Sequence, residues 1–286
     1  MNDGSSQELP NRKIKSEPHN SSESFAKKVN PLGMSEVNYN ELPWSFEVGE
    51  EFVDAVNLVR QKTEIEKTEV GGVLMKDQAG KLGFKTAGGK GDPFPLNMAE
   101  ITDKNLDFSM KAQALLDFPA FTEDIVFVSK MIADNNPHYF KRLIDMGAEV
   151  VLDRVPAGVL HSHPSGNLPS TGDFIATVID DSLSSSTSIP EIVVTSEYTY
   201  FLFPTKQTVA LTSETLRRGT YEKWVGEENE TVNHLAEIDK ANGVKNPNVD
   251  SHINAFRYNF LRNHCLENNV GFYALKNGEK NVQRVF

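Results

Sequence analysis

Residues 155–173 have the sequence VPAGVLHSHPSGNLPSTGD, and this stretch decides how the middle of the chain folds. Its apolar first half predicts a strand that leads directly into His161 and His163. Because these histidines are two residues apart, their side chains point to the same side of the strand. Pro164 ends the strand, since proline lacks the backbone N–H that continues the ladder. The chain then turns and enters a predicted helix whose first turn contains Asp173.

These side chains have the composition of a metal site. A turn between strand and helix can bring Asp173 back towards the two histidines, and such a set leaves a fourth tetrahedral position open for water. That composition is typical of catalytic zinc sites, whereas structural zinc sites are closed by four protein ligands. Two other interpretations remain open: the histidines form an exposed pair, or Ser170 and Asp173 cap the helix, as Ser-x-x-Asp before an apolar run does. Capping and metal binding by Asp173 are compatible.

A second chemical signal lies upstream, where a helix predicted over residues 50–67 meets a short apolar run. Residues 69–75 have the sequence EVGGVLM, and the run after the glycines predicts a buried strand. Glu69 therefore stands at the junction between the helix and the strand. A glutamate that ends a charged helix is most often solvated, so a functional interpretation of Glu69 depends on the Gly-Gly-apolar context and on the downstream histidines.

Together, the two segments resemble the JAMM metallopeptidase motif, also called MPN-plus or JAB, as found in prokaryotic JAB-like proteins. The resemblance is carried by His-Ser-His-Pro, the following Ser-x-x-Asp and the upstream Glu-Val-Gly-Gly-Val-Leu-Met, and it spans residues 43–211. It implies an α/β fold in which a mixed β-sheet is flanked by helices, as in JAB/MPN and cytidine-deaminase-like domains. Six residues separate His163 from Ser170, one fewer than the family pattern usually has.

The resemblance also implies an activity and a role for each motif residue. His161, His163 and Asp173 would hold one Zn²⁺ ion per chain. Glu69 would accept a proton from the attacking water and pass it to the leaving amine, and Ser170 would donate a hydrogen bond to the developing oxyanion. The implied reaction is cleavage of an amide bond in a protein or peptide substrate, which includes removal of a ubiquitin-like modifier.

Two other functions stay open at this point. Family members that lack the metal ligands serve as non-catalytic scaffold subunits, and one bacterial branch of the fold is associated with DNA repair. The chain retains every residue of the motif, which argues against a scaffold. Its formal net charge of −11 argues against a nucleic-acid partner, because an acidic surface repels the phosphate backbone.

Composition indicates a cytoplasmic protein without membrane segments. The sequence contains no run of about 18 apolar residues, the length needed to span a bilayer. Its N-terminal residues lack the apolar core of a secretory signal. The single cysteine, Cys265, cannot form an intrachain disulfide, which fits a reducing compartment.

The chain divides into three parts, one of which contains an insert. Residues 1–42 are polar and rich in Ser, Asn, Glu, Lys and Pro, and they predict a disordered tail. Residues 43–212 predict the JAB/MPN-like metallopeptidase domain. It is interrupted at about 92–150 by a helical insert with candidate helices at 106–116, 125–133 and 139–146. Residues 213–286 predict a helical C-terminal extension that ends in a hairpin at Asn277-Gly278, with candidate helices at 215–225, 232–241 and 253–266.

Overall fold

The computed structural model describes residues 37–87, 98–101, 125–180, 189–208, 211–212 and 219–286. It shows helices that flank a mixed sheet, which confirms the α/β class expected from the sequence. Its described helices are α1 (Glu50–Glu66), α2 (Lys130–Asn135), α3 (Pro137–Asp145), α4 (Thr171–Val178), α5 (Tyr221–Ala241) and α6 (Val249–Asn268). Its described strands are β1 (Ser45–Glu47), β2 (Gly71–Asp77), β3 (Leu82–Ala87), β4 (Met98–Ile101), β5 (Ile125–Val128), β6 (Glu149–Leu152), β7 (Arg154–Ser162), β8 (Ile179–Asp180), β9 (Glu191–Val194), β10 (Tyr198–Phe203), β11 (Leu211–Thr212), β12 (Gly271–Lys276) and β13 (Asn281–Arg284).

Within the described residues, eight strands form the main sheet, in the order β1-β13-β12-β10-β9-β7-β2-β3. Neighbouring strands are antiparallel except for β7 and β9, which run parallel. The carboxyl ends of a parallel pair lie at the same edge of a sheet. The end of β7, which leads into the histidines, therefore lies beside β9.

Each face of the main sheet is covered by helices, and the side chains of β10 show how. Phe201 and Phe203 pack into the cluster that contains the apolar stripe of α1. Leu202, between them, packs with Phe174 of α4 and Leu261 of α6 on the other face. Successive residues of a strand point to opposite faces, so a strand that is apolar at consecutive positions is buried on both sides.

Helix α1 confirms the helix predicted over residues 50–67. Its buried residues recur at helical spacing and form one apolar stripe, which consists of Phe52, Ala55, Val56 and Val59. The helix ends at Lys67, which adopts a left-handed conformation with φ 56° and donates its N–H to the carbonyl of Thr63. This ending turns the chain towards β2 and places Glu69 in the short connection between the two elements.

The insert agrees with the sequence prediction in part. The helix predicted at 139–146 is confirmed as α3. The helix predicted over residues 125–133 is strand β5 followed by α2, which begins after Ser129. In the described part of the insert, β4, β5 and β6 form a parallel sheet, so the insert combines this sheet with α2 and α3 and is not helical throughout. Ile125 and Phe127 pack towards β2, while Val126 and Val128 pack with α2 and α3. Burial on both faces of a central strand overrides the local helical pattern.

The C-terminal segment supplies part of the main sheet. The helices predicted at 215–225 and 232–241 are one helix, α5, over their described residues, and the helix predicted at 253–266 is α6. The Asn277-Gly278 hairpin is confirmed, with Gly278 at φ 89° between β12 and β13. This hairpin lies between β10 and β1, so the segment after residue 213 completes the sheet on which the rest of the domain is built.

Three further predictions concern boundaries. The sequence predicts a tail that extends to residue 42, but Leu42 is 4% exposed and belongs to the core beside α1. Residues 1–36 and the helix predicted at 106–116 lie outside the described residues. The helix predicted over residues 174–183 begins earlier, at Thr171, and ends at Val178, before β8, while residues 181–183 lie outside the described residues. In the described ranges, no helix is long and apolar enough to cross a membrane.

Candidate metal centre

Glu69 and the histidines are brought together by the pairing of neighbouring strands. Strand β2 runs antiparallel to β7, with Gly71 opposite His161. A Cβ atom at Gly72 would overlap the carbonyl oxygen of Lys85 on β3, so this position requires glycine. Gly72 therefore allows β2 and β3 to pack closely beside the segment that carries Glu69.

Ser162, the last residue of β7, is hydrogen-bonded to the segment that contains Glu69. Its hydroxyl oxygen accepts a hydrogen bond from the N–H of Val70 at 3.0 Å and is hydrogen-bonded to the hydroxyl of Thr63 in α1 at 2.6 Å. Its own N–H donates to the carbonyl oxygen of Val70 at 2.8 Å. Because Ser162 is only 2% exposed, these bonds are shielded from water and hold Glu69 in place relative to the histidines.

Three side chains converge with the spacing of a tetrahedral metal site. The Nε2 atoms of His161 and His163 lie 3.2 Å apart. One carboxylate oxygen of Asp173 lies 3.2 Å from Nε2 of His161, and the other lies 3.4 Å from Nε2 of His163. Nitrogen and oxygen ligands bound tetrahedrally at about 2.0–2.1 Å from zinc are separated by about 3.3 Å. The two nitrogens have this separation, and the carboxylate of Asp173 reaches each of them through a different oxygen, so these side chains have the chemistry and the proximity that a Zn²⁺ ion would require.

Asp173 is oriented by a capping box at the N-terminus of α4. The hydroxyl oxygen of Ser170 accepts a hydrogen bond from the N–H of Asp173 at 3.2 Å, and the carboxylate of Asp173 accepts one from the N–H of Ser170 at 2.5 Å. The same carboxylate faces both histidines. The cap predicted from Ser-x-x-Asp is thus confirmed, and it directs the side chain into the cluster.

His163 lies just beyond β7 and is oriented by the turn that follows. Its Nδ1 lies 3.1 Å from the carbonyl oxygen of Asn167. The turn is closed by Gly166, which has φ 75° and donates its N–H to the carbonyl of His163 at 2.9 Å. An imidazole that donates from Nδ1 to a carbonyl presents an unprotonated Nε2, which is the form that binds a metal.

Glu191 supports the opposite side of the His161 ring. It is the first residue of β9, and its Oε1 lies 2.8 Å from Nδ1 of His161. Both side chains are buried, at 6% and 2% exposed. A carboxylate in this position fixes the ring orientation and tautomer of a metal-binding histidine. Glu191 is not among the site residues predicted from the sequence, where its signal is a single carboxylate at the start of an otherwise apolar strand.

In the described residues, two groups of three side chains are close enough to hold one cation. The first consists of Glu69, His161 and His163, and the second of His161, Asp173 and Glu191. Glu191 faces Nδ1 of His161, whereas Asp173 faces Nε2, so these two carboxylates approach different sides of the ring. Glu69 Oε1 lies 3.5 and 3.8 Å from the two Nε2 atoms, and its side chain is 44% exposed. Asp173 therefore lies on the side of His161 that faces His163, and the half-exposed Glu69 lies beside the same two Nε2 atoms.

The cluster contains more carboxylates than imidazoles, and each group affects the pKa values of its neighbours. Burial opposes the charged form of His161, but Asp173 and Glu191 outweigh it and raise the pKa of His161 well above its usual value. Burial raises the pKa of Glu191 to about 7, although His161 opposes this shift. Burial also disfavours ionised Asp173, yet the two histidines hold the pKa of Asp173 well below its ordinary range. With Glu69, carboxylates outnumber imidazoles here, and a divalent cation would offset their charge.

We expect Glu191→Ala to weaken zinc binding about 10–100-fold, because it removes the acceptor that orients His161 from behind. The measurement is zinc affinity by competition with a chromophoric chelator, on protein whose folding is verified by circular dichroism. Glu191→Gln keeps an acceptor for Nδ1 and should recover most of the affinity. Glu197→Ala, exposed on the β9–β10 hairpin, is the matched control. Equal affinity in Glu191→Ala and the wild type would contradict this role.

The structure thus brings four of the predicted residues, Glu69, His161, His163 and Asp173, around one point, and Ser170 is hydrogen-bonded to the last of them. Comparisons of the chain with protein-family models, with curated proteins and with solved structures give no match. The functional assignment therefore depends on the geometry of these side chains and on the motif that they form.

Proposed function

We propose that this chain is a zinc-dependent hydrolase of the JAMM type, with a JAB/MPN, cytidine-deaminase-like domain, that cleaves an amide bond. The observation that carries the proposal is the convergence of His161, His163 and Asp173: the two Nε2 atoms lie 3.2 Å apart, and the Asp173 carboxylate reaches them through separate oxygens at 3.2 and 3.4 Å. Two histidines and one carboxylate leave a fourth position for water, as catalytic zinc sites do. A half-exposed glutamate beside that position supplies the acid–base group that hydrolysis needs.

Glu69 is suited to move a proton at this site. A bound Zn²⁺ ion would supply the positive charge that lowers the pKa of water to about 7. The Oε1 atom of Glu69 lies 3.5 Å from Nε2 of His161 and 3.8 Å from Nε2 of His163, so this carboxylate faces the same two nitrogens that would hold the ion. The carboxylate would accept a proton from the attacking water and deliver it to the leaving amine.

Ser170 is suited to stabilise the oxyanion. Its hydroxyl oxygen accepts the hydrogen bond from the N–H of Asp173, and a hydroxyl that accepts through a lone pair can still donate its own hydrogen. The hydroxyl of Ser170 is thus in direct contact with Asp173, the proposed third ligand. A single well-placed donor beside a developing negative charge is a large contribution to acyl transfer.

The proposed substrates follow from the motif. They are proteins or peptides, and an amide bond that joins a ubiquitin-like protein to a lysine is the class that the JAMM resemblance suggests. Glu69 is partly exposed, so an extended substrate can reach it from solvent.

The proposal is tested first by metal binding. For the wild type we expect about one zinc ion per chain by elemental analysis and a midpoint of thermal unfolding that rises when zinc is added. Folded His161→Ala/His163→Ala should bind no zinc, and its midpoint should not change with zinc. The matched control is His138→Ala/His234→Ala, which removes two exposed histidines on α3 and α5. It should retain the zinc and the stabilisation.

Activity is then measured on the zinc-loaded protein. The probes are fluorogenic peptide amides and a ubiquitin C-terminal amide of a coumarin dye, each compared with the double histidine variant. Hydrolysis in the wild type and its loss in the variant would support the proposal. Absence of zinc from a folded wild type after zinc is supplied would remove the hydrolase assignment and favour a non-catalytic scaffold.

A further inference from the structure

Polar side chains of the two C-terminal helices form hydrogen bonds with the loop between His163 and Ser170 and with the residue that follows it. We propose that Asn254 and Arg257 of α6, with Glu228 of α5, form a clamp that positions this loop for metal binding. This inference rests on the proposed function, because it concerns how the same zinc ligands are held. It gives the C-terminal helices a role that the motif residues do not reveal.

Helix α6 binds both main-chain polar groups of Leu168. The side-chain oxygen of Asn254 accepts a hydrogen bond from the N–H of Leu168 at 2.8 Å. The Nη1 group of Arg257 donates to the carbonyl oxygen of Leu168 at 2.9 Å. Residues three apart lie on the same face of a helix, so one face of α6 presents a donor and an acceptor to a single residue of the loop.

Arg257 extends the clamp to the start of α4. Its Nε donates to one carboxylate oxygen of Glu228 at 2.9 Å, and the other oxygen of Glu228 accepts from the hydroxyl of Thr171 at 3.1 Å. The side chains of Arg257 and Glu228 are 16% and 13% exposed. A planar guanidinium can bind a carboxylate and a carbonyl together, which the single ammonium group of lysine does less well.

Helices α5 and α6 contact the chain beside two of the proposed ligands. Asn167, whose carbonyl oxygen lies 3.1 Å from Nδ1 of His163, also donates from its side chain to Asp250 of α6 at 3.2 Å. Beside the second ligand, Thr171 lies two residues before Asp173. The helices therefore fix the segment that orients one ligand and the helical turn that carries another. Metal affinity depends on such support, because ligands that are already in place lose less freedom on binding.

The clamp residues are separate from the packing core of α6. The core contacts of this helix come from Phe260, Leu261 and Cys265, which pack with Phe174. Asn254 and Arg257 instead bind polar atoms of the loop. Leu168 also packs against this cluster, so a substitution at Asn254 removes one of the contacts that hold the loop and leaves the packing of Phe260, Leu261 and Cys265 in place.

The test uses the full chain with Asn254→Ala as the main variant, because it leaves the pairing of Arg257 with Glu228 intact. We expect the zinc affinity to fall about 10-fold. We also expect an altered visible spectrum of the Co²⁺-loaded protein, which reports coordination geometry, and faster hydrogen exchange at the Leu168 amide in the metal-free protein. Asn254→Asp keeps the accepting oxygen and should restore all three. Asn259→Ala, exposed on the same helix, is the matched control.

Arg257→Gln should weaken zinc binding further, with Arg262→Gln as its exposed control on the same helix. It also breaks a largely buried ion pair, so its thermal midpoint should fall. A lower midpoint for Asn254→Ala with unchanged affinity, spectrum and Leu168 exchange would overturn the clamp and leave the proposed function standing. A wild type that binds neither zinc nor Co²⁺ would instead overturn the proposed function, and the role of the clamp in metal binding with it.

Discussion

Replacing Glu69 with glutamine is expected to lower the rate of amide hydrolysis by about 10²–10⁴-fold and to leave the zinc content unchanged. Glutamine has nearly the same shape as glutamate but cannot accept a proton. Zinc is expected to remain, because the proposed ligands are His161, His163 and Asp173. Their nearest nitrogen and oxygen atoms lie 3.2–3.4 Å from one another and do not involve Glu69. The measurement is kcat/KM on a fluorogenic amide, with metal analysis of the same samples.

Glu64→Gln, which changes an exposed residue of α1, is the matched control and should keep full activity. Retention of more than about a tenth of the rate in Glu69→Gln would place the general base elsewhere. Loss of zinc from Glu69→Gln would show that this carboxylate is itself a ligand, in the group that it forms with the two histidines. The two measurements therefore separate a base from a ligand.

The candidate site could be predicted from the sequence where each signal is local. His161 and His163 are two residues apart at the end of a strand, and Pro164 ends it, so the alternation of strand side chains is enough to pair them. The capping box of Ser170 and Asp173 is likewise a pattern within one turn of helix. The position of Glu69 follows from the end of an amphipathic helix and the start of an apolar strand.

The remaining features depend on contacts between distant segments. Glu191 reaches His161 because β9 lies parallel to β7, and nothing local to β9 specifies that partner. Strand β5 is a buried run of four residues, too short for periodicity to distinguish a strand from part of a helix. Similarly, Asn254 and Arg257 lie on a helix whose apolar pattern predicts packing alone. Their hydrogen bonds to Leu168 appear once the chain is folded.

Ser170→Ala is expected to lower kcat by about 10²–10³-fold with zinc still bound, because it removes the proposed oxyanion donor. It also removes the cap that accepts from the N–H of Asp173, which should cost about 1 kcal/mol of stability. The measurements are kcat, KM, zinc affinity and the free energy of unfolding. Ser170→Thr keeps a hydroxyl that can both accept and donate, and it should recover much of the rate.

The two effects of Ser170→Ala can be separated with a second helix of the same chain. Ser129 caps α2 in the same way, since its hydroxyl oxygen accepts from the N–H of Ile132 at 3.3 Å. Ser129→Ala should therefore lose a similar free energy of unfolding and keep its kcat. If both variants lowered kcat alike, the loss would come from stability. If Ser170→Ala instead released zinc, the main role of Ser170 would be to hold Asp173 in position, and the oxyanion donor would have to be sought in another residue.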